Sequence, residues 1–266
     1  MDDPVGPVVV TVEGRHARVE LNRPHRHNAV DSATVRALHR TWQELSRRHD
    51  VQVVTLTGRG PSLCAGADID EFRRLASIST SEREAVFNEH VDMLEALGRL
   101  PQVTVAVAHG VTAGLGFSLL SRCDIAIAAR SARFLLPELT LGVVPALVLV
   151  DVQRTMGEKA GKDWLLTGSQ RSAAEALQVG LVSRVADDDQ LADAVAAIVA
   201  GLAAGPPASL RRAIALYHEV AAADCELARR LAVSGSAAAI VSEEAQEGVA
   251  AFLERRPPRW PGGEPA

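Results

Sequence analysis

Two short segments rich in glycine and alanine could carry out chemistry in this chain. They lie at residues 64–69 (CAGADI) and 109–116 (HGVTAGLG). Each follows an apolar run that predicts a strand and precedes a run that predicts a helix, so each can direct free backbone N–H groups into a cleft. Two such donors stabilise negative charge on an acyl oxygen, as when a thioester carbonyl becomes an enolate. Taken alone, either segment is more often a tight turn packed by small residues.

The elements that must position these segments alternate between strands and helices over the first two thirds of the chain. Strands are predicted at residues 8–12, 17–21, 51–57, 103–108, 125–128 and around 134–136. Helices are predicted at 31–49, with Asp31 or Ser32 as the N-cap, and at 69–75 and 79–99. From residue 151 to 256 the pattern is almost wholly helical. This order indicates an α/β core and a separate helical layer.

The composition indicates a folded globular protein and argues against several kinds of ligand. The chain has 266 residues, of which 47% are hydrophobic, enough for a sizeable core. A net charge of −5 and 3% aromatic residues argue against binding to nucleic acid or to a membrane surface. Cys64, Cys123 and Cys225 lack metal-site spacing and are typical of free thiols in a reducing compartment. No secretory signal or membrane-spanning run is visible, so we predict a cytoplasmic protein.

Motifs in a fixed order along most of the chain resemble the crotonase superfamily, which includes the enoyl-CoA hydratases and isomerases. They are LNRP at 21–24, NA at 28–29, VVTLTG at 53–58, AGADI at 65–69, CDIA at 123–126, PE at 137–138 with LG at 141–142, and AEA at 174–176 with GLV at 180–182. The resemblance extends from about residue 8 to residue 259. It implies an α/β spiral of repeated ββα units and a C-terminal helical region that mediates trimerisation.

The resemblance therefore predicts the domain organisation, the assembly and the ligand. A crotonase-like α/β core with an acyl-CoA site is expected over residues 1–200, and a C-terminal helical region over 201–266. The expected assembly is a homotrimer or hexamer. The expected substrate is an acyl-CoA, with no metal and no cofactor beyond its coenzyme A moiety.

The resemblance also implies an oxyanion hole made by two backbone N–H groups. One belongs to Ala67, and the other to Leu115, which stands where most relatives have glycine. Only the N–H group is required, so leucine does not abolish the hole, although its side chain must be accommodated. Alternatively, Leu115 packs the start of a helix and Gly114 or Gly116 is the donor.

A loop that contacts coenzyme A is implied by the same resemblance. Ala65, Ala67, Asp68 and Ile69 match the family segment that lies along the pantetheine and the adenine. Asp68 is equally suited to cap a helix, and one residue can serve both purposes.

Cations near the coenzyme A phosphates are expected at two places. Arg23, His25 and Arg26 follow the first predicted sheet segment, where they would compensate a nucleotide phosphate or form a solvated basic turn. Phe252 and Arg255 match a C-terminal signature whose aromatic and basic residues approach the coenzyme A of a neighbouring subunit.

Hydration in this family is assigned to two glutamates, and only one of the matching positions is a glutamate here. Ungapped counting from Gly110 to Asp124 places Ser118 at the first position and Glu138 at the second. One carboxylate is enough to move a proton from the α-carbon of a 3-enoyl thioester to its γ-carbon. Residues 143–150 (VVPALVLV) lack glycine, as in several isomerases of the family. Their apolar character would raise the pKa of Glu138.

We therefore predict an enoyl-CoA isomerase of fatty acid metabolism, with Glu138 as the proton shuttle. Glu138 could instead be a structural carboxylate at a helix start. Ser118 could be a nucleophile for thioester hydrolysis, but it lies outside a G-x-S-x-G elbow, so a hydrogen-bonding role is favoured. The enzyme alternatives are hydration, decarboxylation or C–C cleavage by Glu138 alone. The non-enzyme alternative is a relative that binds acyl-CoA without catalysis.

Overall fold

Two sheets made of nine strands are present in the computed structural model, which describes residues 6–261. The strands are β1 (Val8–Glu13), β2 (His16–Leu21), β3 (Val53–Gly58), β4 (Val103–Ala108), β5 (Val111–Ala113), β6 (Ile125–Ala129), β7 (Arg133–Leu135), β8 (Arg171–Ser172) and β9 (Arg184–Ala186). The larger sheet has the order β1-β2-β3-β4-β6-β9, and the smaller one β5-β7-β8. β1 and β2 form an antiparallel hairpin, and every later pairing in the larger sheet is parallel.

Eleven helices connect and cover these strands within the same residues. They are α1 (Ser32–Ser46), α2 (Ile69–Ala76), α3 (Thr80–Gly98), α4 (Leu115–Ser121), α5 (Ala146–Thr155), α6 (Glu158–Thr167), α7 (Ala173–Gln178), α8 (Leu191–Ala203), α9 (Pro207–Ala221), α10 (Cys225–Ala239) and α11 (Glu243–Glu254). Short 3-10 turns lie at Pro24–Arg26 and Glu138–Leu141. Side-chain caps fix several helix starts: Asp31 accepts a hydrogen bond from the N–H of Thr34, and Ser79 forms a capping box with Glu82. The mixed α/β core and the C-terminal helices confirm the predicted fold class.

The central strands of the larger sheet, β3, β4 and β6, are buried on both faces, whereas the edge strand β1 is mostly exposed. Every residue of β4 is buried, as expected for a parallel strand between two layers of helices. The main core lies around Trp42 and Phe117, while Ile198 of α8 packs with Val105 and Ile127 in a second apolar cluster. α8 therefore covers the sheet, and the domain boundary predicted between residues 200 and 201 falls inside this helix. The ends of the two predicted regions, residues 1–5 and 262–266, lie outside the described residues.

The prediction of an almost wholly helical segment from residue 151 onwards was wrong at β8 and β9. β9 pairs in parallel with β6, and the N–H of Ser183 donates to the carbonyl of Ala126 at 2.7 Å. β5, inside the second glycine-rich segment, was also missed. Strands of two or three residues are too short to show an alternating pattern, so only their pairing partners define them.

The C-terminal helices expose several large apolar side chains. Tyr217 on α9, Val233 on α10 and Phe252 on α11 have exposed fractions of 73%, 66% and 83%. Apolar surface of this kind is typical of a protein–protein interface. The homotrimer or hexamer that would cover it stays a prediction.

A helix that crosses a membrane must be both long and apolar. Within residues 6–261 none of the helices is by itself long and apolar enough to cross a bilayer. α8 and α9 meet the length and composition criteria only as a pair, and this pair is bent by 102°.

Candidate active site

The two glycine-rich segments lie side by side in the fold. Cys64 and Thr112 form a parallel bridge, in which the N–H of Ala113 donates to the carbonyl of Cys64 at 2.9 Å. A methyl group added to Gly116 would lie 2.6 Å from that same carbonyl oxygen, so only glycine permits this approach. Burial raises the pKa of the Cys64 thiol to about 12, which makes it a packing residue rather than a nucleophile.

These segments form one wall of a cavity of about 550 Å³, a size common for small-molecule sites. The predicted site residues that line it are Arg26, Ala65, Ala67, Asp68, Ile69, Leu115 and Glu138. A second wall contains Phe72 of α2 with Phe87 and His90 of α3, and a third consists of residues 143–148. The glycine-free segment noted in the sequence therefore provides apolar lining, as its composition predicted.

Glu138 enters this cavity from a 3-10 turn that begins directly after Pro137. Its Oε2 atom is buried without a hydrogen-bond partner within the described residues, and its Oε1 atom lies beside Gly114. Burial raises the pKa of the carboxyl above its usual value, an effect that its own backbone N–H partly offsets. The direction of this shift agrees with the expectation from the apolar surroundings.

Ala67 and Leu115, the two residues predicted to donate to the acyl oxygen, both line the cavity. Val30 pairs with the residues on either side of Ala67, through the Gly66 carbonyl at 2.8 Å and the Asp68 N–H at 2.9 Å. In a parallel bridge of this kind the intervening N–H faces the opposite side. Leu115 is the first residue of α4, where an N–H has no acceptor within its own helix.

Of the alternative donors near Leu115, Gly114 is already engaged, since its N–H donates to the carbonyl of Leu135 at 3.3 Å. Gly116 does not line the cavity. The Leu115 side chain is 6% exposed and packs in the main core, which explains how a leucine is accommodated at this position.

Ser118, at the position of the missing glutamate, does not line the cavity. It is fully buried and faces Asp151 of α5, which accepts a hydrogen bond from Arg122 at 2.6 Å. Burial raises the pKa of Asp151, while Ser118 and Arg122 oppose this effect. Sequence reasoning missed this buried ion pair, although a lone aspartate in the apolar run 146–152 (ALVLVDV) was a usable signal.

Arg23 forms ion pairs with two carboxylates and does not line the cavity. Its guanidinium lies 2.9 Å from Asp68 and 3.2 Å from Asp31, and it also donates to the carbonyl of Ala29. Asp68 in turn accepts a hydrogen bond from the N–H of Asp70 at 3.1 Å and caps α2. Asp68 thus both lines the cavity and caps a helix, and Arg23 holds its loop in place.

The remaining predicted coenzyme A contacts lie on the surface. Arg26 lines the cavity and pairs with Asp70 at 3.2 Å, whereas His25 is exposed and does not line the cavity. Phe252 and Arg255 lie at the end of α11 and do not reach the cavity of their own chain. Their contact with a neighbouring subunit's coenzyme A stays a prediction.

Comparison with known proteins gives one consistent family. Residues 13–263 match the profile of enoyl-CoA hydratase/isomerase. An enoyl-CoA hydratase structure from Mycobacterium smegmatis is 33% identical, with a TM-score of 0.92 over 96% of this chain and 99% of that one. The mevalonyl-coenzyme A hydratase of Aspergillus fumigatus is 32% identical over 90% of this chain and 89% of its own length. A Marinobacter aquaeolei enoyl-CoA hydratase/isomerase structure is 29% identical, with a TM-score of 0.88 over 96% of this chain and 98% of that one. This chain is therefore a member of the enoyl-CoA hydratase/isomerase family, within the crotonase superfamily.

Proposed function

We propose that this enzyme shifts the double bond of a 3-enoyl-CoA to the 2-position, with Glu138 as the single proton shuttle. One observation carries the proposal. Two carboxylates line the cavity within the described residues, and only that of Glu138 has a buried oxygen without a partner. Asp68 is bound by Arg23 and caps α2, so it is not available as a base.

The reaction needs stabilisation of an enolate and one proton transfer in each direction. The N–H groups of Ala67 and Leu115 would donate to the thioester oxygen as the α C–H bond breaks and its proton moves to Glu138. The electron pair then forms the new α,β double bond, while the γ-carbon takes the proton back from Glu138. The carboxylate returns to its ionised form, and no other reactant is consumed.

The surroundings of the base support isomerisation over hydration. Hydration requires a water held between two proton-transferring groups. At the first of the two family positions, Ser118 is buried against Asp151 and lies outside the cavity. Val143, Val144 and Leu147 line the cavity instead, and apolar surfaces hold water poorly.

Hydration is the second candidate, and two relatives favour it, since the M. smegmatis structure is of an enoyl-CoA hydratase and the A. fumigatus protein is a mevalonyl-coenzyme A hydratase. Decarboxylation and C–C cleavage use the same enolate. Binding of acyl-CoA without turnover is the non-catalytic alternative.

The experiment that separates these functions incubates the protein with a 2-enoyl-CoA and, separately, a 3-enoyl-CoA in deuterated water. The products are then identified by mass spectrometry. We expect the 3-enoyl ester to become the 2-enoyl ester with partial deuterium incorporation, because one carboxyl carries the proton between the two carbons. Addition of one water to the 2-enoyl ester would show a hydratase instead. Calorimetric coenzyme A binding without turnover of either ester would favour the binding role.

The raised pKa of Glu138 predicts how the rate depends on pH. The base must be ionised to accept a proton, so kcat/KM should rise as pH increases through the pKa of this carboxyl. Because burial raises this pKa, the acid limb should lie above the ordinary glutamate value of 4.5. A pH profile with a 3-enoyl-CoA measures it. A limb at or below 4.5 would contradict the assignment of Glu138 as the base in its buried state.

The close contact at Gly114 predicts a loss of activity when a side chain is added. In Gly114→Ala the new methyl group would lie 2.6 Å from Glu138 Oε1, so the carboxyl must move. A displacement of this size is expected to lower kcat by about 10²-fold. Gly14→Ala is the matched control, because Gly14 also has a positive φ but its added methyl group meets nothing within 4 Å. Gly14→Ala should lose about 1–2 kcal/mol of stability to backbone strain. Gly114→Ala should lose at least as much, because its ψ of −115° lies outside the left-handed helical region, but only Gly114→Ala should lose activity.

A further inference from the structure

His90 is a polar side chain in an apolar part of the acyl-CoA cavity. It lies on α3 in the second wall of the cavity, and its residue is 9% exposed. The neighbouring lining consists of Phe72 and Phe87, and the Phe87 ring centroid lies 6.2 Å from that of His90. A buried imidazole among phenyl rings is costly unless its nitrogen atoms have partners.

One of the two ring nitrogens has a partner that fixes the ring. Nδ1 lies 2.8 Å from the carbonyl oxygen of Val86, one turn earlier on α3. A carbonyl oxygen only accepts, so Nδ1 carries the proton and the neutral ring has its lone pair on Nε2. Since Nδ1 faces the backbone of α3, Nε2 lies on the far side of the ring, away from the helix. No hydrogen bond to Nε2 occurs among residues 6–261.

The other polar side chains of the cavity are already engaged or are used for chemistry. Arg26 pairs with Asp70, Asp68 pairs with Arg23, and Glu138 is the proposed base. Among the residues that the structure describes, His90 therefore contributes the one side-chain hydrogen-bond acceptor of the cavity wall that neither an ion pair nor the proposed reaction explains.

We propose that His90 selects an acyl chain that carries a hydroxyl group, which donates a hydrogen bond to Nε2. The inference rests on the proposed function in so far as the acyl-CoA occupies this cavity. A plain alkyl chain would displace water from Nε2 and leave it without a partner, and a site built around a polar group discriminates against the analogue that lacks it. A hydroxyl group would also explain why a hydrogen-bond acceptor lies in a wall that contains Phe72 and Phe87, since an alkyl chain requires only apolar lining.

The test is a binding measurement that does not require turnover. Calorimetry compares hexanoyl-CoA with its 4-hydroxy, 5-hydroxy and 6-hydroxy derivatives, so that the reach of the chain is covered. We expect at least one hydroxylated ester to bind about tenfold more tightly than hexanoyl-CoA. His90→Leu should abolish this difference, and His90→Gln, which keeps an acceptor, should retain part of it. Phe87→Leu is the control, since it reshapes the same wall and should change both affinities while keeping their ratio.

Equal affinity for hexanoyl-CoA and all three hydroxy derivatives would overturn the proposal, as would a preference that persists in His90→Leu. Turnover of 3-hexenoyl-CoA is measured on the same samples. If that turnover is absent but the hydroxyl preference is present and depends on His90, the proposed function fails while this inference stands. If turnover is present but no hydroxyl preference is found, the proposed function stands while this inference fails.

Discussion

Glu138→Gln is expected to lower kcat/KM for a 3-enoyl-CoA by about 10²–10⁴-fold. The amide is nearly the same size as the carboxyl but cannot take a proton from the α-carbon. Steady-state kinetics on the purified variant provides the measurement. Glu138→Asp is the companion variant, because it keeps the carboxylate but shortens the side chain by one methylene. Its activity should lie between those of the unmodified protein and Glu138→Gln. Unchanged turnover in Glu138→Gln would show that the proton shuttle lies elsewhere.

The same substitution should not destabilise the fold, which separates a catalytic role from a structural one. The folded-state pKa of Glu138 is raised above the ordinary value of 4.5, so the ionised carboxyl opposes folding at neutral pH. This opposition is absent below 4.5 and develops as pH rises through the raised pKa. Glu138→Gln removes it. Urea unfolding at pH 7 should therefore show equal or greater stability for the variant, and a large loss would point to a structural carboxylate.

Asp151→Leu, which removes the acceptor as well as the charge, is expected to lower the free energy of unfolding by about 3 kcal/mol. Asp151 is 1% exposed, and its carboxyl holds the guanidinium of Arg122 at 2.6 Å. Removing the negative charge leaves Arg122 with only Glu95, at 3.6 Å, as a neighbouring carboxylate. The cost arises because the partly buried guanidinium of Arg122 loses its nearest acceptor, whereas the intact ion pair itself contributes little net stability.

Two further variants distinguish this explanation from a general effect of removing an aspartate. Asp187→Asn breaks an exposed pair with Arg130 and should leave the urea midpoint nearly unchanged. The double variant Asp151→Leu with Arg122→Met should recover much of the loss, because neither charge then remains buried. If the double variant is as unstable as Asp151→Leu alone, packing at this site rather than charge pairing determines the stability.

The ion pair between Asp151 and Arg122 lies beside Ser118, the position at which the family has its other glutamate. Ser118 occupies the space beside Asp151, so a longer carboxylate at that position would bring two negative charges together in a buried site. Ser118→Glu is therefore not expected to create a hydratase by itself.

Local features were predictable from the sequence because they depend on neighbouring residues. β4 was predicted with the bounds that the structure shows, and the predicted start of α2 was also correct. Of the two residues predicted as the N-cap of α1, Asp31 and Ser32, the structure shows Asp31. These elements follow from runs of apolar residues, from capping side chains and from glycine turns, all of which act within a few residues. The motifs from 21–24 to 180–182 were likewise sufficient to identify the family, which the comparisons confirm.

By itself, then, the sequence determined the family, the α/β core and the position of Glu138 as the candidate base. Only the tertiary structure decided the use of side chains whose partners are distant in the chain. In the folded chain Arg23 forms an ion pair with Asp68, Ser118 is buried against Asp151, and His90 lines the same cavity as Glu138. The physical reason is that an ion pair or a cavity wall depends on distances between elements, and residue spacing along one strand or helix carries no information about those distances.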